Sequence, residues 1–376
     1  MKVLHLSDLH LGKRVNEFSM IEDQKYIINQ IIEIMKDEKI EAVIIAGDIY
    51  DKSTPSAEAV ELFDEFLTKI KRINVKALII SGNHDSPERI AFGGNIMKDS
   101  GIYLSKVYDG NTVKVELEDE YGKINFYLLP FIKPANIRRY FPDKNIESYT
   151  SAVKIAVENM NINKNQRNIL LTHQFVTGST RSDSETFSVG GTDNVDSEVF
   201  SDFDYTALGH LHISQNIGKN IRYCGSPLKY SFSEAKREKT VTILNFMEKG
   251  NVEIKEIPLK PEHDMKEIKG TYDEITAKSF YETNDLQNCY LHISLTDEEE
   301  IPGAAPKLKA IYPYLMKLDY KNKRSLEYTG EVSYETKQKT PLELFEELYK
   351  IQNNNEMNDE QRNFIEKLIE SVWEVE

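Results

Sequence analysis

Three short segments in the first quarter of the sequence decide the fold: VLHLSDLH at residues 3–10, AVIIAGD at residues 42–48 and ALIISGNHD at residues 77–85. Each begins with an apolar run typical of a buried parallel strand and ends in polar side chains that bind metals. Because the carboxyl ends of parallel strands meet at one edge of a sheet, we expect these polar side chains to converge. The segments therefore predict a metal site at that edge.

The stretches between these strands have the apolar spacing of helices. Ile27, Ile31 and Met35 recur at helical spacing after the first strand, and a second helix is predicted to start near Ser56. Strands alternating with helices indicate the α/β class. Further apolar runs predict more strands, at 124–129, 169–171, 205–208, 240–246 and 252–257.

The composition is that of an ordinary globular protein of two or three domains. The 376 residues are 40% hydrophobic and 29% charged, and no apolar run approaches the roughly 18 residues that a membrane span needs. Charged residues interrupt the N-terminal apolar stretch, so it is not expected to be a signal peptide. The two cysteines, Cys224 and Cys289, do not suggest a disulfide framework. We therefore expect a cytoplasmic protein with no membrane association.

The net charge of −15 is unusual for a protein that binds nucleic acid, because such proteins are usually basic. Residues 340–376 carry ten acidic and only three basic residues, so this segment is not expected to contact DNA. The rest of the chain should also hold a phosphate backbone weakly, unless metal ions or a partner add positive charge.

The second half of the sequence predicts a small second domain. The composition changes near 258–261, and new strand patterns follow at 290–295 and 314–318. Pro302, Gly303 and Pro306 mark a loop between them.

The C-terminal segment has the pattern of a helical hairpin. Thr340 begins a capping box with proline at the first helical position, and Asn358 with Gln361 caps a second helix. Each helix carries an apolar stripe. The hairpin either docks on its own domain or binds a partner, and the pattern alone leaves both open.

Two later segments complete a set of candidate metal ligands. Thr172-His173-Gln174 and Gly209-His210-Leu211-His212 each follow an apolar run. Taken singly, each segment has a simpler explanation, such as a turn, a surface pair or a buried core histidine. Five such segments in order favour a metal centre, and seven oxygen and nitrogen donors suit two first-row divalent ions that share a carboxylate. The predicted ligands are Asp8, His10, Asp48, Asn83, His173, His210 and His212.

Asp48 is the predicted bridging ligand, because it lies between the other two N-terminal segments in chain order. The two histidines of the His-x-His segment are expected to serve different ions. We therefore place Asp8, His10 and His212 on one ion, and Asn83, His173 and His210 on the other.

The order of these motifs over residues 1 to 225 resembles that of the calcineurin-like metallophosphoesterases. The resemblance implies a two-sheet β-sandwich flanked by helices, with a two-metal site that hydrolyses phosphate esters. Five further motifs resemble those of the SbcD nuclease family. They are Gly47-Asp48-Ile49-Tyr50-Asp51, Leu129-Pro130-Phe131, Gly190-Gly191-Thr192-Asp193, Tyr223-Cys224-Gly225-Ser226-Pro227 and Ser231-Phe232-Ser233-Glu234.

The SbcD resemblance implies a division of the whole chain. Residues 1–261 would form the nuclease domain and 262–328 a small α+β capping domain that contacts DNA. A linker at 329–339 would lead to a hairpin at 340–376 that binds the coiled coil of the SMC-like ATPase SbcC. No phosphate-binding loop motif occurs here, so the ATPase must be another chain.

The resemblance also implies an activity. It is a manganese-dependent cleavage of DNA ends and hairpins, as a 3′-to-5′ double-strand exonuclease and single-strand endonuclease in DNA repair and recombination. The ATPase partner would stimulate it, and two copies of the chain would act as a homodimer within a heterotetramer. The expected cofactors are two divalent metal ions, and the expected metal is Mn²⁺.

Two catalytic residues follow from the resemblance. His84 would face the substrate, where it stabilises the transition state or protonates the leaving oxygen, and Asp85 would orient it. His84 could instead be a helix-start histidine bonded to Asp85. Asp51 stands where some branches of the wider family carry histidine, so that phosphate-positioning role is not transferred. Bases near the predicted mouth are candidate DNA contacts, namely Lys13, Arg14 and Arg89.

Three other functions compete with the nuclease interpretation. A stand-alone metallophosphatase or phosphodiesterase acting on small substrates would use the same metals but would lack the cap and hairpin. A scaffold that had lost its metals is disfavoured, because all seven ligands and His84 are present. A pure DNA-binding adaptor is disfavoured by the net charge.

Overall fold

Two six-stranded β-sheets packed face to face form the centre of the protein. The computed structural model describes residues 1–185, 193–321, 340–353 and 356–373. Helices cover the outer face of each sheet. The predicted α/β architecture, a two-sheet sandwich flanked by helices, is therefore confirmed.

The first sheet has a parallel half and an antiparallel half that meet at the N-terminal strand. That strand, β1 (Lys2–Leu6), pairs in parallel on one side and antiparallel on the other, with His5 opposite Thr242. From edge to edge the order is β16 (Val252–Leu259), β15 (Lys239–Phe246), β1 (Lys2–Leu6), β4 (Ala42–Ala46), β5 (Lys76–Ile80) and β6 (Ile102–Leu104).

The second sheet is parallel at its centre and antiparallel at both edges. Its order is β13 (Gln215–Ile217), β14 (Ile221–Tyr223), β12 (Tyr205–Gly209), β9 (Arg167–His173), β8 (Gly122–Leu128) and β7 (Val113–Asp119). Two short ribbons pair outside the large sheets: β2 (Arg14–Val15) with β3 (Phe18–Ser19), and β10 (Phe175–Val176) with β11 (Asn194–Val195).

Alternate residues of the central strands face two different apolar clusters. Val3 and Ile44 lie in the cluster between the sheets, whereas Leu4 and Ile45 lie in the cluster beneath the helices. Because both faces are buried, these strands are apolar at nearly every inner position, with the buried His5 of β1 as an exception.

Helices α1 (Ile21–Asp37) and α2 (Ala57–Arg72) cover the first sheet. The side chain of Ser56 accepts a hydrogen bond from the backbone N–H of Ala59 at 3.3 Å and so caps α2, as the sequence predicts. Shorter helices complete this layer and the layer on the second sheet: α3 (Pro87–Ala91), α4 (Gly94–Met97), α5 (Pro134–Arg138) and α6 (Tyr149–Glu158).

A three-stranded parallel sheet with its own apolar cluster follows the sandwich. Its strands are β17 (Met265–Gly270), β18 (Tyr290–Leu295) and β19 (Leu315–Tyr320), and its helices are α7 (Tyr272–Thr276), α8 (Lys278–Thr283) and α9 (Ala304–Ile311). The predicted loop is present at Pro302 and Gly303, but its extension to Pro306 is wrong, since Pro306 lies in the first turn of α9. A proline is tolerated there because the first turn leaves its N–H groups without helical acceptors.

Hydrogen bonds join the small sheet to α1. The buried carboxylate of Asp23 accepts from Nδ1 of His263 at 3.0 Å and from the hydroxyl of Tyr290 at 2.7 Å. The domain boundary predicted at 261/262 falls next to these contacts and stays a prediction.

The C-terminal helices are α10 (Pro341–Asn353) and α11 (Asp359–Trp373). Both begin with reciprocal caps, between Thr340 and Glu343 and between Asn358 and Gln361. The linker predicted at 329–339 lies outside the described residues. None of the helices that the structure describes combines the length and apolar character that crossing a membrane requires.

Candidate metal centre

The carboxyl ends of parallel strands from both sheets meet at one place. Asp8, Asp48 and Asn83 follow β1, β4 and β5 of the first sheet, while His173 ends β9 and His210 follows β12 of the second. The two sheets face each other across their shared core. Ligands carried by different sheets therefore come together, as expected where strands of one direction end side by side.

Four residues of the site adopt positive φ angles although none of them is glycine. These angles are 53° for Asp8, 45° for His10, 49° for Asp48 and 104° for His210. Such conformations cost of order 1–3 kcal/mol each and persist only where the surrounding structure fixes them. The backbone is therefore held in an unfavourable shape at the residues that carry the candidate ligands.

Glycines allow the two sheets to approach closely beneath the site. A Cβ on Gly209 would overlap the carbonyl oxygen of Ala46, which belongs to the other sheet. Gly47 has a φ of +89°, and a Cβ there would overlap Nδ1 of His173. Only residues without a side chain fit at these two positions.

One group of candidate ligands is formed by Asp8, His10 and His212, whose donor atoms all lie within 4.8 Å of one another. The Nε2 atoms of His10 and His212 face each other at 3.1 Å. His10 Nδ1 is buried and has no hydrogen-bond partner. Two ring nitrogens aimed at one point, on buried side chains, form the arrangement that a metal ion requires.

The second group surrounds Asn83, which the structure brings next to two histidines. Its side-chain oxygen lies 3.0 Å from Nε2 of His173 and 2.9 Å from Nδ1 of His210. Asp48 Oδ2 lies 3.2 Å from His173 Nε2 and 3.7 Å from His10 Nε2. Asp48 therefore lies between the two groups, where a bridging ligand would have to be.

Burial and mutual contact shift the pKa values of these side chains. Burial raises the pKa of Asp8 to about 6, against the opposing effect of His173. Burial alone would lower the pKa of His173, but Asp48 raises it to about 9. Burial also lowers the pKa of His10 and His210 well below the ordinary value. The rings of His10 and His210 are therefore neutral, and a neutral imidazole carries the lone pair that a metal needs.

Backbone carbonyl groups orient two of the histidine rings. Nδ1 of His173 donates to the carbonyl of Ala46 at 2.8 Å, so Nε2 is the ring nitrogen that faces Asp48 and Asn83 in the site. Nδ1 of His84 lies 3.0 Å from the carbonyl oxygen of Asp51. The ring of His84 stands beside that of His10, with centroids 4.8 Å apart.

The ligand atoms of His84, His10 and Asp48 also lie within 4.8 Å of one another, so these three residues form a third possible metal-binding group. Its backbone N–H donates to Oδ1 of Asp48 at 2.9 Å. Because the Asp51 carbonyl holds one ring nitrogen, only Nε2 is left to act on a substrate or a metal.

The interpretation that Asp85 orients the His84 ring requires correction. The buried carboxylate of Asp85 accepts three backbone hydrogen bonds, from Ile49 at 3.1 Å, Tyr50 at 2.9 Å and Gly82 at 2.9 Å. Its two oxygens are thus occupied by the backbone of two ligand-bearing loops. Asp85 is thus bonded to the loop from which the Asp51 carbonyl reaches His84, and its contacts are with that loop's backbone, not with the ring.

The three bases predicted to contact DNA differ in their surroundings. Lys13 forms an ion pair with Asp51 at 2.7 Å, and both side chains are largely buried. Arg14 donates to the carbonyl of Glu17, while Arg89 is exposed on α3. The structure thus gives Asp51 a role that the sequence left open, because its carboxylate neutralises Lys13.

Several residues that the sequence did not single out as site residues surround His212 and His10. Ser184 Oγ lies 2.7 Å from His212 Nδ1, and Glu185 accepts from the His212 backbone N–H at 2.6 Å. Gln24 of α1 donates to the carbonyl of His10 at 2.7 Å. The Tyr230 ring packs edge-on against both histidines, at 5.7 and 5.8 Å between centroids.

A buried ion pair lies behind Ser184. Glu234 is fully buried and pairs with Lys239. Burial alone would raise the pKa of Glu234, but the Lys239 ammonium lowers it far below its usual range. Ser231-Phe232-Ser233-Glu234 contributed to the family resemblance, but nothing in the sequence indicated what Glu234 contacts. The Gly190-Gly191-Thr192 part of another motif lies outside the described residues.

Comparison with known proteins agrees with this geometry. Residues 1–214 match the family described as calcineurin-like phosphoesterase, and residues 261–353 match that described as Type 5 capsule protein repressor C-terminal domain. Over 382 aligned residues, covering 100% of both chains, the chain is 33% identical to the D subunit of the nuclease SbcCD from Staphylococcus epidermidis.

Two solved structures are similar at low identity. A dimetal phosphatase from Danio rerio matches at 10% identity with a TM-score of 0.42, covering 68% of this chain and 95% of its own. The protein TT1561 of Thermus thermophilus matches at 12% identity with a TM-score of 0.34, covering 68% of this chain and 98% of its own.

Proposed function

Because this chain belongs to the SbcD family of calcineurin-like phosphoesterases, we propose that it is a metal-dependent DNA nuclease, the nuclease subunit of an SbcCD complex. The proposed reaction is phosphodiester hydrolysis at DNA ends and hairpins, as a 3′-to-5′ double-strand exonuclease and a single-strand endonuclease. The observation that supports the proposal is the convergence of seven candidate metal-ligating side chains where strands of two sheets end.

The donor atoms fit two divalent ions. Asp8, His10 and His212 offer one carboxylate and two facing imidazole nitrogens. A second position would be held by His173, His210 and Asn83, with Asp48 shared. Imidazole and carboxylate donors together suit first-row ions such as Mn²⁺, our proposed cofactor. When bound, two such ions lower the pKa of water and stabilise negative charge on the phosphoryl group.

His84 is the proposed catalytic side chain that is not a ligand. Its Nδ1 is held by the Asp51 carbonyl at 3.0 Å, and its backbone N–H is held by Asp48 at 2.9 Å. Both bonds fix the ring relative to the site, so Nε2 can act on a substrate with little loss of entropy. We infer that Nε2 stabilises the transition state or gives a proton to the leaving sugar oxygen.

The C-terminal hairpin is the proposed binding site for the SbcC coiled coil. Leu344, Phe345 and Leu348 of α10 are 54%, 39% and 50% exposed, and Phe364 of α11 is 65% exposed. Several large exposed apolar side chains on one short segment are typical of a protein interaction site. A helical hairpin with apolar stripes can pack against a coiled coil by the same interdigitation that joins two helices.

The remaining parts of the proposal concern the cap and the assembly. We assign residues 262–328 to a capping domain that contacts DNA, and residues 1–261 to the nuclease domain. Two copies of the chain would form a homodimer within a heterotetramer in the cytoplasm, acting in DNA repair and recombination. The ATPase partner would supply positive charge that this acidic chain lacks.

Cleavage of matched DNA substrates tests the proposal. The full chain, loaded with Mn²⁺, is given an open duplex, an end-blocked duplex and a hairpin, with and without SbcC and ATP. We expect cleavage of the open duplex and the hairpin, faster with SbcC and ATP, and none by Asp48→Ala. Efficient hydrolysis of a nitrophenyl phosphodiester with no cleavage of any DNA would favour the small-substrate phosphodiesterase instead.

Deletion of residues 340–376 tests the partner assignment separately. The truncated chain should no longer co-purify with SbcC but should still hydrolyse simple phosphodiesters with Mn²⁺. A truncated chain that still binds the ATPase would refute the assignment of the hairpin without affecting the nuclease proposal.

A further inference from the structure

His212 differs from the other oriented histidines of the site because a side chain, not a backbone carbonyl, holds its outer ring nitrogen. Nδ1 of His212 lies 2.7 Å from Oγ of Ser184. The same Oγ lies 2.9 Å from Oε1 of Glu234. By contrast, His173 and His84 rest on the carbonyls of Ala46 and Asp51.

The chemistry of these groups fixes the direction of the hydrogen bonds. A carboxylate only accepts, so the single hydroxyl proton of Ser184 is directed to Glu234. The hydroxyl oxygen then accepts from Nδ1–H of His212, and it can also accept from the hydroxyl of Ser182 at 2.7 Å. The ring proton is thereby held on Nδ1, and the lone pair is left on Nε2, which faces His10.

Glu234 is in turn fixed as an acceptor by a buried base. Its second oxygen pairs with Lys239, whose ammonium also donates to the carbonyl of His212 and to Ser226 Oγ, each at 2.8 Å. The three ammonium hydrogens therefore each have an acceptor. A buried carboxylate and a buried ammonium stabilise each other only when their remaining hydrogen-bonding groups are satisfied, as they are here.

The segment that carries Ser184 also holds the backbone of His212. Oε1 of Glu185 accepts from the His212 N–H at 2.6 Å, and its other oxygen accepts from the N–H of Ser182. Asp183 N–H donates to Ser233 Oγ at 3.1 Å, next to Glu234. Ser184 thus contacts the ring of one candidate ligand, Glu185 contacts its backbone, and Asp183 contacts the turn that carries Glu234.

We propose that Ser184 and Glu234 are positioning residues that set the tautomer and orientation of His212 for one of the two metal ions. This inference rests on the proposed two-metal function. Neither residue touches the reacting atoms, and both act through His212. Since outer partners of ligating histidines typically change metal affinity by roughly 10–100-fold, their loss should weaken one metal site and leave the other intact.

The test is a titration of the metal-free full chain with Mn²⁺ by calorimetry, with bound metal counted by elemental analysis. We expect Ser184→Ala to bind one ion like the parent and the second roughly 10–100-fold more weakly. Ser184→Thr keeps the hydroxyl and should restore the second site to within a few-fold of the parent. Ser182→Ala is the matched control, since it removes a neighbouring hydroxyl that does not contact His212, and it should bind like the parent.

Two outcomes would overturn the inference. Parental affinity for both ions in Ser184→Ala would show that the hydroxyl does not position His212. If Ser184→Thr and Ser184→Ala bind the second Mn²⁺ ion equally weakly, the size of the side chain matters and the hydroxyl does not. Urea unfolding of each variant in the presence of a metal chelator identifies any variant that fails to fold. Glu234→Gln gives Ser184 and Lys239 a mismatched partner, so it should weaken the binding of the same metal ion as Ser184→Ala. A parent chain that binds no metal would refute the proposed function itself.

Discussion

Replacement of Gly47 by alanine tests whether the close approach of the two sheets positions the ligands. Gly47 combines two constraints that can be separated, a φ of +89° and a Cβ position that overlaps Nδ1 of His173. Gly218 has only the first constraint, with a φ of +69° and no atom within 4 Å of the position of a Cβ. Gly218→Ala is therefore the matched control for backbone strain.

The expected losses of stability follow from these contacts. A left-handed backbone conformation costs an alanine about 1–2 kcal/mol, so the free energy of unfolding of both variants should fall by this amount. In Gly47→Ala the His173 ring must also move, which breaks its 2.8 Å bond to the Ala46 carbonyl. Buried groups left without partners cost about 1–3 kcal/mol, so the loss for Gly47→Ala should be about 2–5 kcal/mol.

Urea unfolding in the presence of a metal chelator measures the two losses without a contribution from bound metal. Mn²⁺ titration of the same proteins should show weakened binding for Gly47→Ala, because His173 is displaced, and parental binding for Gly218→Ala. If both variants lose equal stability and both bind Mn²⁺ like the parent, the close approach at Gly47 does not position His173.

Three further predictions concern single side chains. His84→Gln should bind two equivalents of Mn²⁺ but cleave DNA roughly 10²–10⁴-fold more slowly in single-turnover assays, and parental cleavage would remove His84 from the reaction. Asp85→Ala removes the acceptor of three buried backbone N–H groups, so urea unfolding should show a loss of about 3 kcal/mol or more; a loss well under 1 kcal/mol would contradict this role. Burial alone would raise the pKa of Asp119, but Arg167 and the N-terminal ammonium lower it to about 2 from 3.8. Its charged form therefore stabilises the fold above pH 3.8, and this stabilisation is lost as the pH falls towards 2. Asp119→Asn should accordingly be less stable than the parent by about 1–2 kcal/mol at pH 7, with the difference shrinking below pH 3.8 and vanishing only below pH 2; a difference that stays constant between pH 7 and 2 would refute the assignment.

The sheet edges that carry the site were predictable because their signals are local. A buried parallel strand shows itself as an unbroken apolar run, and the polar residue that follows it lies at the edge of the sheet. Asp8, Asp48 and His173 each stand at such a transition in the sequence. The sequence therefore indicated which strands meet, without any knowledge of their distances.

The residues that support the ligands could not be predicted in the same way. Ser184 and Glu185 lie in a polar stretch with no strand pattern, and they meet His212 only through tertiary contacts. Gln24 belongs to a helix, where its burial and its bond to the His10 carbonyl leave no periodic signal. Asp85 has the type and position of a catalytic residue, but its partners are backbone groups that a sequence does not display.

The pairing of β1 with β15 has a consequence for the stage of synthesis at which the protein can fold. β1 precedes the other strands of the sandwich in chain order, yet its antiparallel neighbour begins only at Lys239. A growing chain that ends before His210 also lacks two of the four candidate histidine ligands, His210 and His212. Domains fold as units during synthesis, and pairings between distant segments form late. An unfinished polypeptide accordingly has no complete centre, so the proposed nuclease activity would arise only once nearly the whole sandwich has left the ribosome.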